Sequence, residues 1–398
     1  MGDDHPGVLI AGAGPVGLIT ALGLARAGVE VTVLEAEPRI VESPRAAVYH
    51  WSVLEGFERL GILADVGARG LPKQDYAFRV FKTGETIPYS IGAIADETPY
   101  AHNVHLGQHE LAAIALEHLE RLPGARVSFS ARVTNLAQVR GGVTVAAATP
   151  DGPLELRADW LIGADGGRST VRRALGLSFE GFTWPERFVA TNVRHDFDRH
   201  GYALATFQID HVHGAVIVKL DDAGLWRCTY SEDASLPEET VSERLPEHFA
   251  VLLPGDEGYE LASHAPYKMH QRAADRFRVG RVLLTGDAAH VTNPTGGLGL
   301  TSGLFDAFAL YEALAAVVLD GADEAVLDAW AEERRRLFLE LASPAASELK
   351  RLIFSEADPE RRREDLEAIR RWTSDRDLLR ERLRFTAKLR SAPLGMSS

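Results

Sequence analysis

Apolar residues fall along this chain in short runs that alternate with amphipathic stretches, and their spacing changes character several times. Val8–Ala11 is a brief run with β-branched residues, the pattern of a strand buried on both faces. Glycines follow at 12, 14 and 17. Leu18, Ala21, Leu22 and Ala25 then recur at helical spacing up to Gly28, where the helix should close. Residues 29–34 predict a second strand, ending at Glu35. The same order returns twice. Residues 160–162 predict a strand, followed by Gly163, Asp165, Gly166 and Arg168, and then a helix over 169–175 capped by Ser169 or Thr170. Val282–Leu284 predicts another strand, with Gly286, Asp287, His290, Pro294 and three glycines (296, 297 and 299) before a helical run from about Thr301.

Two segments interrupt this alternation. Residues 72–105 contain strand-like pieces such as YAFRVF. Residues 178–275 contain RFVATNVRH, YALATFQID, GAVIVKL and LWRCTYSED, with a turn signal at Asp221-Asp222-Ala-Gly224; the spacing predicts an antiparallel sheet. After about residue 322 the pattern is helical and charged. Arg334–336 and Arg361–363 read there as solvated helix faces, with a homodimer contact as the rival reading.

Composition narrows the class. The 398 residues are 45% hydrophobic and 25% charged, which suits a soluble protein of two or three domains. A net charge of −14 argues against nucleic acid, whose binding rests on Lys and Arg neutralising phosphates. The acidic N-terminus lacks the basic region of a secretory signal, and no uninterrupted apolar segment is of bilayer-crossing length, so no membrane association is expected. One cysteine, Cys228, excludes an internal disulfide and any Cys-rich metal site, and a cytoplasmic setting is expected.

The first motif carries chemistry. In G-x-G-x-x-G, Gly12 permits the tight turn, Gly14 lets the backbone approach a pyrophosphate, and Gly17 packs helix on strand. Pro15 and Val16 start a helix whose N-terminal N–H groups face the phosphates. Glu35, with Ala36 beside it, stands where an acid accepts hydrogen bonds from a ribose. The unit points to an adenine dinucleotide and leaves NAD and FAD open.

The three motifs together, in this order, resemble the FAD-dependent aromatic hydroxylases, single-component flavoprotein monooxygenases built like 4-hydroxybenzoate hydroxylase. The resemblance covers about residues 7–340. It implies an α/β fold: a Rossmann-like FAD-binding domain with an inserted antiparallel-sheet substrate domain and C-terminal helices. The expected division is 1–71, 106–177 and 276–340 for the FAD-binding domain, 72–105 and 178–275 for the substrate domain, and 341–398 for the C-terminal helices. The first motif would hold the ADP half of FAD. The second, with Asp165, would serve FAD and NAD(P)H. The third would hold the ribityl chain and flavin ring through Gly286, Asp287, Pro294, Gly297, Gly299 and Leu300. Arg45, Gln108 and Val133 complete the cofactor set. Where the family often has Asn at the start of the last helix, this chain has Thr301-Ser302, whose hydroxyls can cap a helix.

The resemblance implies that NADH or NADPH, as a transient co-substrate, reduces FAD. Molecular oxygen then forms a flavin C4a-hydroperoxide that hydroxylates a phenolic or heteroaromatic substrate. Alternatives on the same motifs are an epoxidase, a Baeyer–Villiger oxygenase, a reductase or a non-catalytic FAD-binding sensor. Pro294 would stand beside the reacting edge of the flavin. His211 and His213 in QIDHVHG would share one face of a strand, with His213 orienting a substrate hydroxyl or carbonyl. Phe207, Val216, Tyr230 and Trp226 could wall the substrate pocket. No metal site is expected, since the His211–His213 pair lacks further ligands. His290 reads as structural.

Overall fold

In the computed structural model, which describes residues 7–42 and 48–391, the repeated strand–glycine–helix pattern assembles into one sheet, parallel but for the antiparallel edge strand Arg278–Val279. Val8–Ala11 lies at its centre, flanked by Val31–Leu34 on one side and Trp160–Gly163 on the other, with Ala125–Ser128 and Val282–Leu284 outside them, all parallel. These strands are short, apolar and buried: the helices Pro15–Ala27, Gln108–Leu119 and Leu298–Leu319 pack on one another as one layer, and a three-stranded sheet over residues 132–158 brings Val143, Val145 and Ala147 into the same core. Pro15–Ala27 and Leu298–Leu319 pack on each other so closely that a side chain at Gly23 would overlap the ring of Tyr311. All five strands end at one edge, which brings together the three motifs that are separated in sequence.

The two interrupting segments build one further sheet of eight strands. Asp75–Val80 and Thr86–Ser90 form one end of it, and strands between Phe179 and Ala274 form most of the remainder. This sheet is mixed rather than purely antiparallel, because Ala205–Ile209 runs parallel to Asp75–Val80. Local hairpins would give only antiparallel pairs; here the chain passes through the nucleotide fold between the two strands and re-enters in the same direction. The short strand His290–Val291 pairs with Glu260–Ala274, fastening the third motif to the edge of this sheet.

Each face of the mixed sheet has its own cover. Val189, Ala215, Ile217, Trp226, Cys228 and Tyr230 pack under the helix Val241–Leu252. On the opposite face, Phe188, Phe207, Val216 and Tyr267 meet Leu349, Ile353 and Phe354 from the C-terminal helices.

Not all of the C-terminal arginines are solvated. Arg334 is buried and bonds Asp306, and Arg335 donates to the carbonyl of Ala274 at 2.9 Å. Arg370, Arg380 and Arg384 pair with Glu85, Asp96 and Glu97, tying the C-terminal helices to the mixed sheet. The expectation of no bilayer-length apolar segment is also corrected. The 22-residue Leu298–Leu319 helix meets that length and composition, yet more than half of its apolar window is buried. It also carries Asp306 in an internal ion pair, which marks it as a core helix.

Candidate cofactor and active site

The glycines of the first motif fall into two kinds. Gly12 has φ +106°, and a Cβ there would overlap the carbonyl of Ala164; one at Gly17 would overlap the carbonyl of Gly12. Both are forced by close packing of backbone on backbone. Around Gly14, in contrast, no protein atom lies within 4 Å of where a Cβ would stand. That open backbone precedes Pro15, the first residue of the helix, whose unpaired N–H groups and positive dipole end face the same space. Val16 packs against Gly286 and Gly303, so the first motif rests directly on the third.

Glu35 braces this turn. Its Oε2 accepts the Ala13 amide at 2.6 Å and its Oε1 the Glu37 amide at 2.9 Å. Ala36 follows, half-buried. Ala131 donates its amide to the Glu35 carbonyl at 2.7 Å, and Val133, in the strand Arg132–Val139 that follows, is buried. Gln108 opens the helix Gln108–Leu119. Arg45 lies outside the described residues.

In the second motif Asp165 serves its own helix. Its carboxylate accepts the Ser169 hydroxyl at 2.5 Å and the amides of Thr170 and Val171 at 2.6 and 3.1 Å, while Ser169 caps the helix Thr170–Ala174 through the Arg172 amide. Arg172 links this motif to the third: it donates to the carbonyls of Gly167 and Ala288 at 2.7 and 2.8 Å, and its guanidinium lies over the Phe179 ring.

The third motif is built around a buried carboxylate that sequence reasoning missed. Asp306 Oδ2 accepts the Gly286 amide at 3.1 Å and stands 2.7 Å from His290 Nε2, while Oδ1 accepts Arg334 Nε at 2.8 Å. Arg334 and His290 hold the Asp306 carboxyl below its ordinary range against the opposing effect of burial. His290 is structural as expected, stacked on Phe338 with centroids 4.2 Å apart. From 282 to 290 every residue is buried except Asp287. The scaffold therefore turns one acid outward.

The loop that follows is held by Gln271, whose Oε1 accepts the Asn293 amide and the Thr292 hydroxyl at 3.1 and 3.0 Å. His50 Nε2 lies 2.9 Å from the Gly296 carbonyl. Pro294 is exposed at the loop's tip, and its carbonyl accepts the Gly297 amide. Gly297 is the N-cap of the Leu298–Leu319 helix. The amides of Leu298, Gly299 and Leu300 form its first turn, beyond the reach of any carbonyl inside the helix. The expected hydroxyl cap is absent: Thr301 Oγ1 donates back to the Gly297 carbonyl at 2.9 Å, a bond to the preceding turn, and Ser302 is buried.

Two pocket expectations are corrected. His211 and His213 do not share a strand face; they stand in the turn between Ala205–Ile209 and Ala215–Lys219, where Asp210 accepts the His213 amide at 3.0 Å and the His213 ring lies on Phe81. Tyr230 and Trp226 point away from Phe207 and Val216, into the cluster beneath Val241–Leu252. Strand alternation instead puts Arg227 and Thr229 on the Val216 face. Arg227 donates to Asn192 Oδ1 at 3.1 Å, and burial pushes its guanidinium down to about 10. The single cysteine is inert, its thiol buried and pushed up to about 12.

An open backbone turn at Gly14, the half-buried acid Glu35, the outward acid Asp287 and a helix start thus share one edge of the sheet, a set of groups that fits FAD. Comparison with known proteins agrees. The FAD binding domain family model matches residues 6–343. The chain is 46% identical to 6-hydroxy-3-succinoylpyridine 3-monooxygenase from Pseudomonas putida, over 95% of this chain and 96% of that one. It is 44% identical to para-nitrophenol 4-monooxygenase from a Pseudomonas species, over 96% of each. The crystal structure of p-nitrophenol 4-monooxygenase from Pseudomonas putida superposes with a TM-score of 0.94 at 43% identity, covering 97% of this chain and 98% of that one. This chain belongs to the FAD-dependent aromatic hydroxylases, the flavoprotein monooxygenases that act on aromatic substrates.

Proposed function

We propose that this monooxygenase places oxygen on the ring carbon para to a hydroxyl group in a hydroxylated benzene or pyridine. The names of the two similar enzymes support this reading: position 3 of a 6-hydroxypyridine and position 4 of a phenol are both para to the hydroxyl, and in both named compounds that carbon bears the substituent. Bound FAD supplies the redox chemistry, accepting hydride from NADH or NADPH and activating molecular oxygen.

The chain's own residues bind, orient and exclude water. The Gly12–Gly14–Gly17 turn would admit the pyrophosphate, with Glu35 accepting from the adenosine ribose. Asp287 would accept from a ribityl hydroxyl. The first-turn amides at 298–300 would stabilise negative charge on the pyrimidine side of the ring. Pro294 and its loop would stand against the ring, and Phe207 and Val216 would give the substrate an apolar wall. Arg227, on the same sheet face, would supply positive charge toward a ring oxygen or an acidic substituent.

The observation that carries this reading is the meeting of all three motifs at one edge of the parallel sheet. Its test is the visible spectrum of the purified protein, followed by NADH or NADPH under air with para-substituted phenols and 6-hydroxypyridines. A flavin spectrum, nucleotide consumption stimulated by one compound, and a hydroxylated product in the mass spectrum are expected. Flavin without stimulated oxygen uptake by any compound would defeat the substrate assignment.

A further inference from the structure

A second cluster of ligand-capable side chains lies far from the flavin site. The strands Phe179–Arg194 and Glu260–Ala274 pair from Phe179 with Ala274, beside the nucleotide fold, to Arg194 with Glu260 at the other end. His195 directly follows the first strand at that distant end, His200 closes the single turn Asp198–His200, and Glu257 precedes the second strand. One ring nitrogen from each histidine and a carboxylate oxygen of Glu257 lie within 4.8 Å of one another.

The environment of His195 points to a ligand. Its side chain is more than nine-tenths buried, and its Nε2 lies 2.9 Å from the Pro254 carbonyl. A carbonyl can only accept, so Nε2 carries the proton and Nδ1 keeps its lone pair. Nδ1 is buried and has no hydrogen-bond partner. An imidazole whose other N–H is held by a backbone carbonyl is the usual arrangement of a metal-ligating histidine.

The other two groups are already paired. His200 Nε2 stands 3.2 and 3.1 Å from the two Glu257 oxygens, and its ring lies parallel to that of His195. Exposed Arg199 also reaches Glu257, at 3.3 Å. Gly255, at φ +77°, folds the intervening loop over them; a Cβ there would overlap Glu257 Oε2.

We propose that His195, His200 and Glu257 form a binding site for a divalent transition-metal ion of the zinc class, with water completing the coordination. Two imidazoles and a carboxylate are donors for zinc and its neighbours rather than for calcium or magnesium, which take oxygen. Binding requires a bare nitrogen on His200, so the ion replaces the proton shared with Glu257. The ion staples residues 195–201 to 254–258 and takes no part in flavin chemistry, being separated from it by a 16-residue strand.

The test is titration of Zn2+ into tag-free, FAD-loaded protein, with binding read by calorimetry and stability by thermal unfolding. One Zn2+ per chain and a melting temperature that rises with free Zn2+ are expected. Glu257→Gln and His200→Gln should each weaken binding at least tenfold, with His211→Gln binding like the wild type and flavin absorbance unchanged throughout. These two residues are partly exposed, so both variants should fold. Absence of stoichiometric binding, or affinity unchanged in both variants, would overturn the proposal.

Discussion

Asp306 holds Gly286 from behind: its Oδ2 accepts the Gly286 amide at 3.1 Å although twenty residues separate them. The same carboxylate takes Arg334 and His290, so the turn that exposes Asp287 is set by a fully buried ionic group. Asp306→Asn leaves Arg334 without its counter-charge in the core, and removing one partner of a buried pair costs about 3–5 kcal/mol. The expected outcome is a destabilised protein that also binds FAD at least tenfold more weakly, read by urea unfolding and by flavin fluorescence. Because the folded-state pKa of Asp306 is depressed, its stabilising contribution is present above the ordinary carboxylate range and is lost as pH falls through the lowered value. Asp306→Asn should remove that part of the acid sensitivity.

Gly14 and Gly17 look alike in the motif but face different things. A Cβ at Gly14 meets no protein atom within 4 Å, whereas one at Gly17 overlaps the carbonyl of Gly12. Gly14→Ala should therefore fold with near wild-type stability in the absence of FAD and lose FAD affinity tenfold or more. Gly17→Ala should lose about 1–3 kcal/mol of stability before any question of cofactor arises. Equal loss of apo-protein stability in both variants would refute this division.

Arg227 and Tyr230 are three residues apart on one strand and point to opposite faces. Arg227→Met should raise KM for acidic or nitro-substituted phenols by tenfold or more. Tyr230→Phe should leave KM within twofold, since it changes only the α-helical side of the sheet. The Tyr230 hydroxyl has no hydrogen-bond partner, so its removal should be close to neutral for stability. Steady-state kinetics with para-nitrophenol compares the two directly.

Lys73 is buried where mixed sheet and nucleotide fold meet, its ammonium directed at the carbonyl of Lys219. Burial, with the nearby charge of Lys219, lowers its pKa to about 7 from an ordinary 10.5. Between these values the unfolded chain holds a proton that the folded chain has released. Stability should therefore rise with pH from about 7 toward 9, by up to about 1.4 kcal/mol per pH unit for this group. Lys73→Met should flatten that slope in urea titrations at pH 7, 8 and 9; parallel curves for the two proteins would exclude the effect.

The local units were legible because their causes are local. A bare-backbone turn, a helical spacing of Leu and Ala, and an acid at the end of a strand lie within a few dozen residues, so Val8–Ala11, Gly12 to Gly17, Glu35 and the strands ending near Asp165 and Asp287 could be read directly from the chain. Tertiary structure decided whatever depends on which distant segments meet. The Ala205–Ile209 strand joins Asp75–Val80 in parallel because the chain crosses another sheet between them. Arg334 is buried because Asp306 lies beneath it, although its own neighbours are charged. Tyr230 turned away from the pocket because the apolar side of the amphipathic helix Val241–Leu252 covers that face, a choice alternation alone leaves open, since both faces of this strand carry residues fit for a core. His195 and Glu257 lie sixty-two residues apart with no shared period, and only the pairing of two long strands brings them together.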